Sequence, residues 1–510
     1  MSILGRVYGD SLSLLNDLYQ LTMAYAHWKE GTAEREAVFH LFFRRIPFGG
    51  GFAVACGLEP AIEYIESLRF REDDLEYLAG LRGNDGAPLF ERGFLDALRD
   101  LSFRCDVDAV PEGTVVFAQE PLIRVRGPIM SAQLLETPLL NLVNFHTLIA
   151  TKAARMRLAA GDDPVIEFGL RRAQGIDGGL AASRAAYAGG CDGTSNLPAG
   201  KIFGIPVKGT HAHSWVLAFD SEPEAFEAYA RALPNNCVFL VDTYDSLEGV
   251  RHAVEMGRRL REQGHEMIGI RLDSGDLAYL SREARKVLDE AGFPDASILA
   301  SNELDETVIT SLKQQGARIG VWCVGTRLVT GHGEPALGGV YKLAAVRDPG
   351  GPWEYRVKLS EQAVKTTNPG IQQVRRYTQD GEHIGDLIYD EPAGLPEAPV
   401  MVDPLDMTRR KAMPADAQGE DLLVPVFRQG RRVYDPPGLE EIRRRVGEQL
   451  AGFHGGVKRF VNPHRYPVGL ELGYFDLKTR LILEARDLKE NNNPTPGKAA
   501  GAATGPGPKT

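Results

Sequence analysis

Between residues 163 and 345 the sequence alternates short apolar runs with helix-forming stretches, and this alternation is the strongest constraint on the fold. Each run ends in polar or glycine-rich residues, and several of the intervening stretches begin with Asp or Ser and end with Gly, as helices do. Near-continuous apolar strands separated by single helices are typical of parallel strands buried on both faces. The runs are PVIEFGLRR, IPVKGTHAHS, CVFLVDTYDS, MIGIRLDSGD, SILASNELDE, IGVWCVGTR and GVYKLAAV.

This pattern predicts an α/β fold, an irregular (β/α) barrel of parallel strands, with a doubly wound open sheet as the alternative. The polar residues gather at the C-terminal ends of the runs, which form the active-site face of a barrel. The flanks differ, because residues 107–127 alternate apolar and polar residues as antiparallel strands do. We therefore expect an additional α+β domain built from the N-terminal and C-terminal regions. The predicted segments are an N-terminal α+β domain at 1–130 with part of 350–488, a catalytic barrel at 131–350, a C-terminal region at 351–488 that packs on the N-terminal domain, and a disordered tail at 489–510.

Composition narrows the functional class. The 510 residues carry a formal net charge of −11, which disfavours nucleic acid and anionic membranes as partners. The five cysteines are scattered and form no CxxC pair, which argues against a disulfide framework and a structural zinc site. No apolar run reaches the ~18–20 residues that span a bilayer, and the N-terminus lacks a signal-peptide core. We predict a cytoplasmic enzyme or binding protein.

The segment GTHAHS raises the question of what His211 and His213 do. If the segment is a strand, alternation places both rings on the same side. They could then be metal ligands, a nucleophile with a neighbour, or buried hydrogen-bonded side chains. The later strand ends supply no third histidine, which disfavours a metal centre. The polar neighbours Gly209, Thr210 and Ser214 weigh against two buried core residues.

Other strand ends supply groups that suit an anionic ligand. Arg271 and Asp273 are two residues apart and share a face. Arg171 is expected to point into the barrel mouth and Arg172 to lie on the surface. Glycine-containing loops after late strands let backbone N–H groups approach a phosphate, and aspartates at strand ends suit sugar hydroxyls or Mg²⁺. The residues concerned are Gly325, Thr326, Gly338 and Gly339 for the phosphate and Asp242 and Asp273 for hydroxyls or Mg²⁺. Together these groups predict a pocket for a phosphorylated sugar.

Over residues 10–375 the chain resembles the nicotinate phosphoribosyltransferases, of the type II phosphoribosyltransferase family. The resemblance is carried, in family order, by NDLYQLTMAYAHW, FHLFFRRIPFGGGFAVACGLE, EGTVVFAQEPLIRVRGP, ETPLLNLVNFHTLIATKAARM, EFGLRRAQGIDGG, GTHAHSWV, VDTYDSLEGV, IRLDSGDL, ASNELDE, CVGTRLVTG and ALGGVYKLAAV. It implies an enzyme of NAD biosynthesis that joins nicotinate to phosphoribosyl pyrophosphate, giving nicotinate mononucleotide and pyrophosphate. ATP is a co-substrate, hydrolysed to ADP and phosphate through a phosphohistidine, and Mg²⁺ is required. It also implies an irregular barrel with an N-terminal α+β domain, and a homodimer with shared active sites.

The resemblance also assigns roles. His213 is the implied phosphohistidine, and His211 is interpreted as a packing neighbour. Asp242 and Asp273 join it as catalytic residues that hold ribose hydroxyls or Mg²⁺. The implied substrate-binding residues are Tyr19, supplied by the partner chain, Phe168, Arg171, Thr210, Arg271, Gly325, Thr326, Gly338, Gly339 and Thr367.

The choice between acid and amide substrate depends on CDGTSNLPAG. There Thr194 and Ser195 stand where an Asp would accept the amide of nicotinamide, so hydroxyl donors to a carboxylate are predicted. A nicotinamide-preferring relative stays as an alternative. Two further alternatives are a metal-dependent amidohydrolase, which needs a metal cluster, and a non-catalytic binding protein, which would not retain His213, Arg271 and the glycine loops.

Overall fold

The computed structural model describes residue 9 and residues 11–491, without the side chains of residues 363 and 487–491. Its helices are α1 Leu18–Lys29, α2 Leu58–Ser67, α3 Glu72–Gly80, α4 Arg92–Arg99, α5 Ile129–Gln133, α6 Glu136–Ala160, α7 Gly175–Ala188, α8 Leu197–Phe203, α9 His213–Val216, α10 Glu222–Ala232, α11 Ser246–Glu262, α12 Leu277–Glu290, α13 Glu306–Gln314, α14 Thr326–Val329, α15 Leu439–Ala451 and α16 Leu472–Asn491. Short 3-10 helices lie at Pro47–Gly49, Leu170–Arg172 and Ala363–Lys365.

The strands fall into three large sheets and one two-stranded ribbon. They are β1 Glu36–Phe43, β2 Ala53–Val54, β3 Asp106–Ala109, β4 Val115–Val116, β5 Ile123–Pro128, β6 Val165–Glu167, β7 Gly193–Thr194, β8 Val238–Leu240, β9 Gly269–Leu272, β10 Ser297–Ala300, β11 Val321–Val324, β12 Gly339–Arg347, β13 Glu354–Tyr355, β14 Gln372–Gln379, β15 Glu382–Asp390, β16 Val400–Asp403, β17 Asp406–Ala412, β18 Gln418–Asp421, β19 Val424–Arg428, β20 Arg431–Arg432 and β21 Val468–Glu471.

Six parallel strands form the predicted α/β sheet, in the order β7-β6-β11-β10-β9-β8. The first strand along the chain, β6, pairs with the last, β11, through Trp322 opposite Val165. The order is therefore cyclic with one break, between β7 and β8. A doubly wound sheet instead reverses its strand order at a switch point, so that alternative is wrong.

Side chains on the sheet form a small apolar cluster. Its members are Ile166 of β6, Val238 of β8, Leu299 of β10 and Cys323 of β11, so the cluster extends over five neighbouring strands.

Residues 206–211 lie in the break between β7 and β8. On one side the Lys208 N–H donates to the Thr194 carbonyl at 2.9 Å, and on the other the Leu240 N–H donates to His211 Nε2 at 3.2 Å. The predicted strand IPVKGTHAHS is wrong, because the segment forms only an isolated bridge at Val207, and His213 begins α9. A histidine side chain has taken the place of a backbone acceptor, which interrupts the ladder.

Polar caps begin the helices that follow the strands. Asp245 caps α11 by accepting the Glu248 N–H at 2.9 Å, as its position after β8 predicts. Asp276, and not Asp273 or Ser274, caps the next helix, α12. That leaves Asp273 free for the site.

Two antiparallel or mixed sheets build the rest of the molecule. The seven-stranded sheet has the order β13-β12-β1-β5-β3-β19-β20, so it joins N-terminal strands to residues 424–432. The run GVYKLAAV is β12 and pairs antiparallel with β1, so its assignment to the barrel is wrong. An apolar run indicates a buried strand but not the sheet that the strand joins. The six-stranded sheet β17-β16-β21-β15-β14-β18 belongs wholly to the C-terminal region. The predicted domain limits stay predictions.

The ends of the chain complete the description. Helix α16 runs to Asn491 and so includes the first three positions of the predicted tail 489–510, whose remainder lies outside the described residues. In the described part of the chain, no helix has the length and apolar character to cross a membrane.

Candidate active site

A cavity of about 170 Å³ opens beside the C-terminal ends of β6, β9, β10 and β11. Six of the predicted site residues line it together. They are Phe168, Arg171, Arg271, Asp273, Gly325 and Thr326, and Arg172, Ser301, Asn302, Glu303 and Cys323 complete the wall. Six residues predicted from the strand ends thus lie together in the structure.

His213 lies next to this cavity, with Nδ1 hydrogen-bonded and Nε2 facing two carboxylates. Its Nδ1 is 3.1 Å from the Thr243 hydroxyl oxygen. Its Nε2 faces two carboxylates, 3.6 Å from Asp273 Oδ2 and 3.9 Å from Asp242 Oδ1. The side chain is 38% exposed, so a ligand can reach the ring.

Each of the two aspartates has one oxygen fixed and the other directed toward His213. Asp242 Oδ2 accepts hydrogen bonds from the Asp273 N–H at 2.9 Å and the Ser274 hydroxyl at 2.6 Å. Asp242 Oδ1 is buried and has no hydrogen-bond partner among the described residues. Ser301 donates to Asp273 Oδ1 and leaves Oδ2 on the His213 side. An orphaned carboxylate oxygen next to a second carboxylate suits a hard divalent cation, and Mg²⁺ commonly uses one or two protein carboxylates together with substrate phosphates.

His211 has a different environment from His213. It is buried, and its ring packs against Tyr229 with centroids 4.9 Å apart. Because Nε2 accepts the Leu240 N–H, that nitrogen carries no proton. Burial lowers the pKa of His211 to about 4. The interpretation of His211 as a packing residue agrees with this geometry.

The cavity wall is rich in guanidinium groups. Arg271 Nη1 donates to the Thr210 hydroxyl, and Arg271 Nε is buried with no hydrogen-bond partner in the described chain. Arg172 is exposed, as predicted, and it lines the cavity beside Arg171. An incompletely paired guanidinium at a cavity wall is suited to a carboxylate or phosphate ligand.

Five predicted substrate-binding residues do not line this cavity, and one of them, Thr210, contacts its wall through the hydrogen bond from Arg271. Tyr19 is 47% exposed and lines a separate concavity of about 380 Å³ on the surface of α1 and α6. Thr367 is buried, and its hydroxyl accepts the Lys358 N–H at 2.9 Å. Gly339 packs against α6, because an added Cβ would lie 1.9 Å from Asn144 Oδ1, and the adjacent Gly338 is exposed.

The Thr194 hydroxyl, which was predicted to select the acid substrate, is hydrogen-bonded to another side chain of the protein. Thr194 is buried, and its hydroxyl donates to Glu167 Oε2 at 2.5 Å. The interpretation of Thr194 as a substrate contact is therefore wrong. Its hydroxyl satisfies a buried carboxylate that also accepts from Ser183.

Sequence reasoning missed the polar residues that hold the catalytic groups in place. Thr243, Ser274 and Ser301 contact His213, Asp242 and Asp273 respectively. All three are in or next to the polar strand ends that indicated the site, so that signal could have found them. The spacing of residues along the sequence does not show which hydroxyl residue contacts which site residue.

A rival metal-hydrolase site has no counterpart here. Within residues 11–491, no group of three or more His, Cys, Asp and Glu side chains is placed to hold a metal ion.

Comparison with known proteins identifies the family. Residues 14–144 match the nicotinate phosphoribosyltransferase N-terminal domain and residues 371–478 match its C-terminal domain. The nicotinate phosphoribosyltransferase of Bacillus subtilis (strain 168) is 45% identical over 486 residues, which cover 94% of this chain and 96% of that one. The chain belongs to the nicotinate phosphoribosyltransferase family. The family predicted from the sequence is confirmed, and with it an enzyme of NAD biosynthesis.

The structure supports the same family. The crystal structure of human nicotinic acid phosphoribosyltransferase superposes with a TM-score of 0.79 at 34% identity, covering 91% of this chain and 99% of that one. The crystal structure of nicotinate-nucleotide pyrophosphorylase from Pyrococcus furiosus shares the fold, with a TM-score of 0.63 at 20% identity, covering 87% of this chain and 96% of that one.

Proposed function

We propose that this nicotinate phosphoribosyltransferase joins nicotinate to phosphoribosyl pyrophosphate and couples the reaction to ATP hydrolysis through a phosphohistidine at His213. The products are nicotinate mononucleotide, pyrophosphate, ADP and phosphate. The observation that carries the proposal is the position of His213, with Nε2 between two carboxylates and beside an arginine-lined cavity. We also propose that residues 206–211 complete an irregular barrel across the break between β7 and β8.

His213 would act as the nucleophile toward the γ-phosphate of ATP. A proton on Nδ1, donated to the Thr243 hydroxyl, leaves the Nε2 lone pair available for attack. The bond from Nε2 to phosphorus forms as the bond to the leaving ADP oxygen breaks. Water later takes the phosphoryl group from His213 and yields phosphate.

Mg²⁺ fits this arrangement and would be held by Asp242 and Asp273. Two carboxylates within 4 Å of the attacking nitrogen repel an incoming phosphoryl group unless a cation lies near them. When bound, the ion neutralises charge on the transferring and departing phosphates. Asp242 Oδ1, which is buried without a partner, is the oxygen we assign to it.

The glycosyl transfer needs positioning more than acid–base catalysis. The pyridine nitrogen attacks C1 of the ribose while pyrophosphate leaves through an oxocarbenium-like state. Phe168 offers a ring face at the cavity wall, and Arg271 offers a guanidinium to the nicotinate carboxylate. With Thr194 turned to Glu167, we assign acid selection to Arg271. Tyr19 would reach the site from a partner subunit in a homodimer.

Labelling with γ-labelled ATP tests the phosphohistidine. The wild type is expected to take up acid-labile, alkali-stable label approaching one phosphate per chain, and His213→Ala is expected to take up none. His211→Gln is the matched control, because it changes the neighbouring imidazole and can keep an acceptor for the Leu240 N–H; it should still be labelled. Label that persists in His213→Ala, or that disappears only in His211→Gln, would overturn the assignment.

A further inference from the structure

A second cavity is lined by residues outside the parallel sheet. Its volume is about 330 Å³, and it shares no lining residue with the cavity beside Asp273. The walls come from the loop after β1, the segment 364–368, the six-stranded C-terminal sheet and α16. This volume is within the range of ~300–1,000 Å³ typical of small-molecule sites.

One end of this cavity holds a buried ammonium group. Lys478 is 9% exposed, and its Nζ donates to Asn368 Oδ1 at 2.7 Å. That bond uses one of the three donors of the lysine. No Asp or Glu lines the cavity, and burial without a carboxylate lowers the pKa of Lys478 to about 8. A buried lysine that lacks a counter-ion is costly unless an anion is supplied.

The other cationic groups of the wall do not balance the charge of Lys478. Arg44 Nε is itself buried without a hydrogen-bond partner among the described residues. Arg465 is 62% exposed at the side chain and already pairs with Asp403 at 3.1 Å. The cavity therefore carries excess positive charge at Lys478 and Arg44.

Most of the remaining wall is apolar, with Gln119, Thr366 and His464 as its other polar residues. The rings of Phe117 and Tyr466 are stacked with centroids 4.3 Å apart. The Tyr466 hydroxyl donates to Asp386 Oδ1 at 2.9 Å, so the phenol is satisfied outside the cavity and its ring serves as wall. Ile388 and Leu470 add aliphatic surface. A bare inorganic anion would leave this surface without a partner.

We propose that this cavity is a second binding site, separate from the His213 site, for a small organic carboxylate with a flat apolar body. The carboxylate pairs with the Lys478 ammonium, and the body lies against Phe117, Tyr466 and Ile388. The site does not depend on the reaction proposed above.

Fluorescence titration with 2-naphthoate tests the site. We expect saturable binding of one molecule per chain, and binding of the neutral 2-naphthamide weaker by about tenfold or more. Two variants remove the uncompensated charge in opposite ways. Lys478→Met deletes the ammonium, and Asn368→Asp places a carboxylate against it; each should weaken 2-naphthoate binding by about tenfold or more.

Controls separate this site from the catalytic one. Arg271→Ala should leave 2-naphthoate binding unchanged, and inorganic phosphate should compete poorly because it lacks an apolar body. The proposal fails if no saturable binding occurs, if the amide binds as well as the acid, or if Arg271→Ala abolishes binding while Asn368→Asp does not. Effective competition by phosphate would also overturn it. Should Lys478→Met not fold, Asn368→Asp and the acid–amide comparison decide the question.

Discussion

His211 and His213 are two residues apart, yet they differ in burial and in the groups that surround their rings. His211 is enclosed by aromatic rings and holds a backbone N–H, whereas His213 is partly exposed between two carboxylates. The difference is created by residues far along the chain, since Leu240, Asp242 and Asp273 provide the contacts. Residue type alone cannot distinguish the two histidines, whereas their contacts in the fold do.

Ser301 is a positioning residue for Asp273. Removing its hydroxyl in Ser301→Ala frees Asp273 Oδ1, so the carboxylate can turn away from His213. A hydrogen bond to a charged group contributes about 1.5–3 kcal/mol, so we expect the rate of His213 phosphorylation to fall by about tenfold or more. The KM for nicotinate should change little, and Ser301→Thr, which keeps the hydroxyl, should restore the rate. Equal rates for Ser301→Ala and wild type would show that Asp273 is held by other contacts.

His211 should make stability depend on pH. Its pKa is about 4 in the folded chain against 6.5 ordinarily, so the unfolded chain takes up the proton first as the pH falls. Its contribution is present above pH 6.5 and is lost as the pH falls toward 4, at up to about 1.4 kcal/mol per pH unit. In His211→Gln the fall in Tm between pH 7 and pH 5 should be smaller than in wild type. An unchanged difference would mean that other buried histidines account for the acid sensitivity.

Some helices pack closely against strand backbone, and the helix propensity of their residues does not indicate these contacts. Gly249 in α11 lies over β8, where an added Cβ would be 2.1 Å from the Val241 carbonyl oxygen. That carbonyl precedes Asp242, so the packing of α11 helps to position the carboxylate that we propose for Mg²⁺ binding. A Cβ added to Gly447 in α15 would have no described atom within 4 Å outside its own helix backbone and chain neighbours.

These two glycines form a matched pair for substitution. Gly249→Ala should lower Tm by several degrees and reduce activity, because the helix must move away from backbone that cannot yield. Gly447→Ala should raise stability by up to about 1 kcal/mol through helix propensity alone. Thermal melts and initial rates on both variants check this. A neutral Gly249→Ala would contradict the close packing of α11 on β8.

The sequence predicted which segments form strands better than it predicted which strands pair with each other. Five apolar runs became β6, β8, β9, β10 and β11, because a strand buried on both faces needs a continuous apolar run. Local periodicity could not show that β12 would pair with β1, more than 290 residues away, since pairing depends on remote segments. For the same reason it located Asp242 and Asp273 at strand ends but not the serines that hold them.

At the scale of the whole molecule, the site in one chain lacks Tyr19. Its ring lies with α1 on a separate surface, although the resemblance assigns it to the substrate pocket. The proposed dimer with shared sites would account for both, because a residue remote from the cavity in one copy can line the cavity of the other.

Mixing two inactive variants tests this sharing. Tyr19→Ala and His213→Ala each damage every site in their own homodimers, but a mixed dimer retains one intact site. After subunit exchange, random pairing should restore about a quarter of wild-type activity. A mixture no more active than the sum of its parts would place both residues in the same chain's site.

The break in the order of the parallel sheet has a mechanical consequence. Within the described chain, the amides of Gly209, Thr210, His211 and Ala212 have no backbone acceptor, so this stretch is attached mainly by side chains. Ladder hydrogen bonds hold the flanking strands in register, whereas displacing these four residues breaks none of them. His213 thus follows a segment attached mainly by side chains, whereas Arg271 lies in β9 and the two aspartates closely follow β8 and β9. For the phosphoryl transfer proposed above, we expect His213 to move more readily than Arg271 and the aspartates.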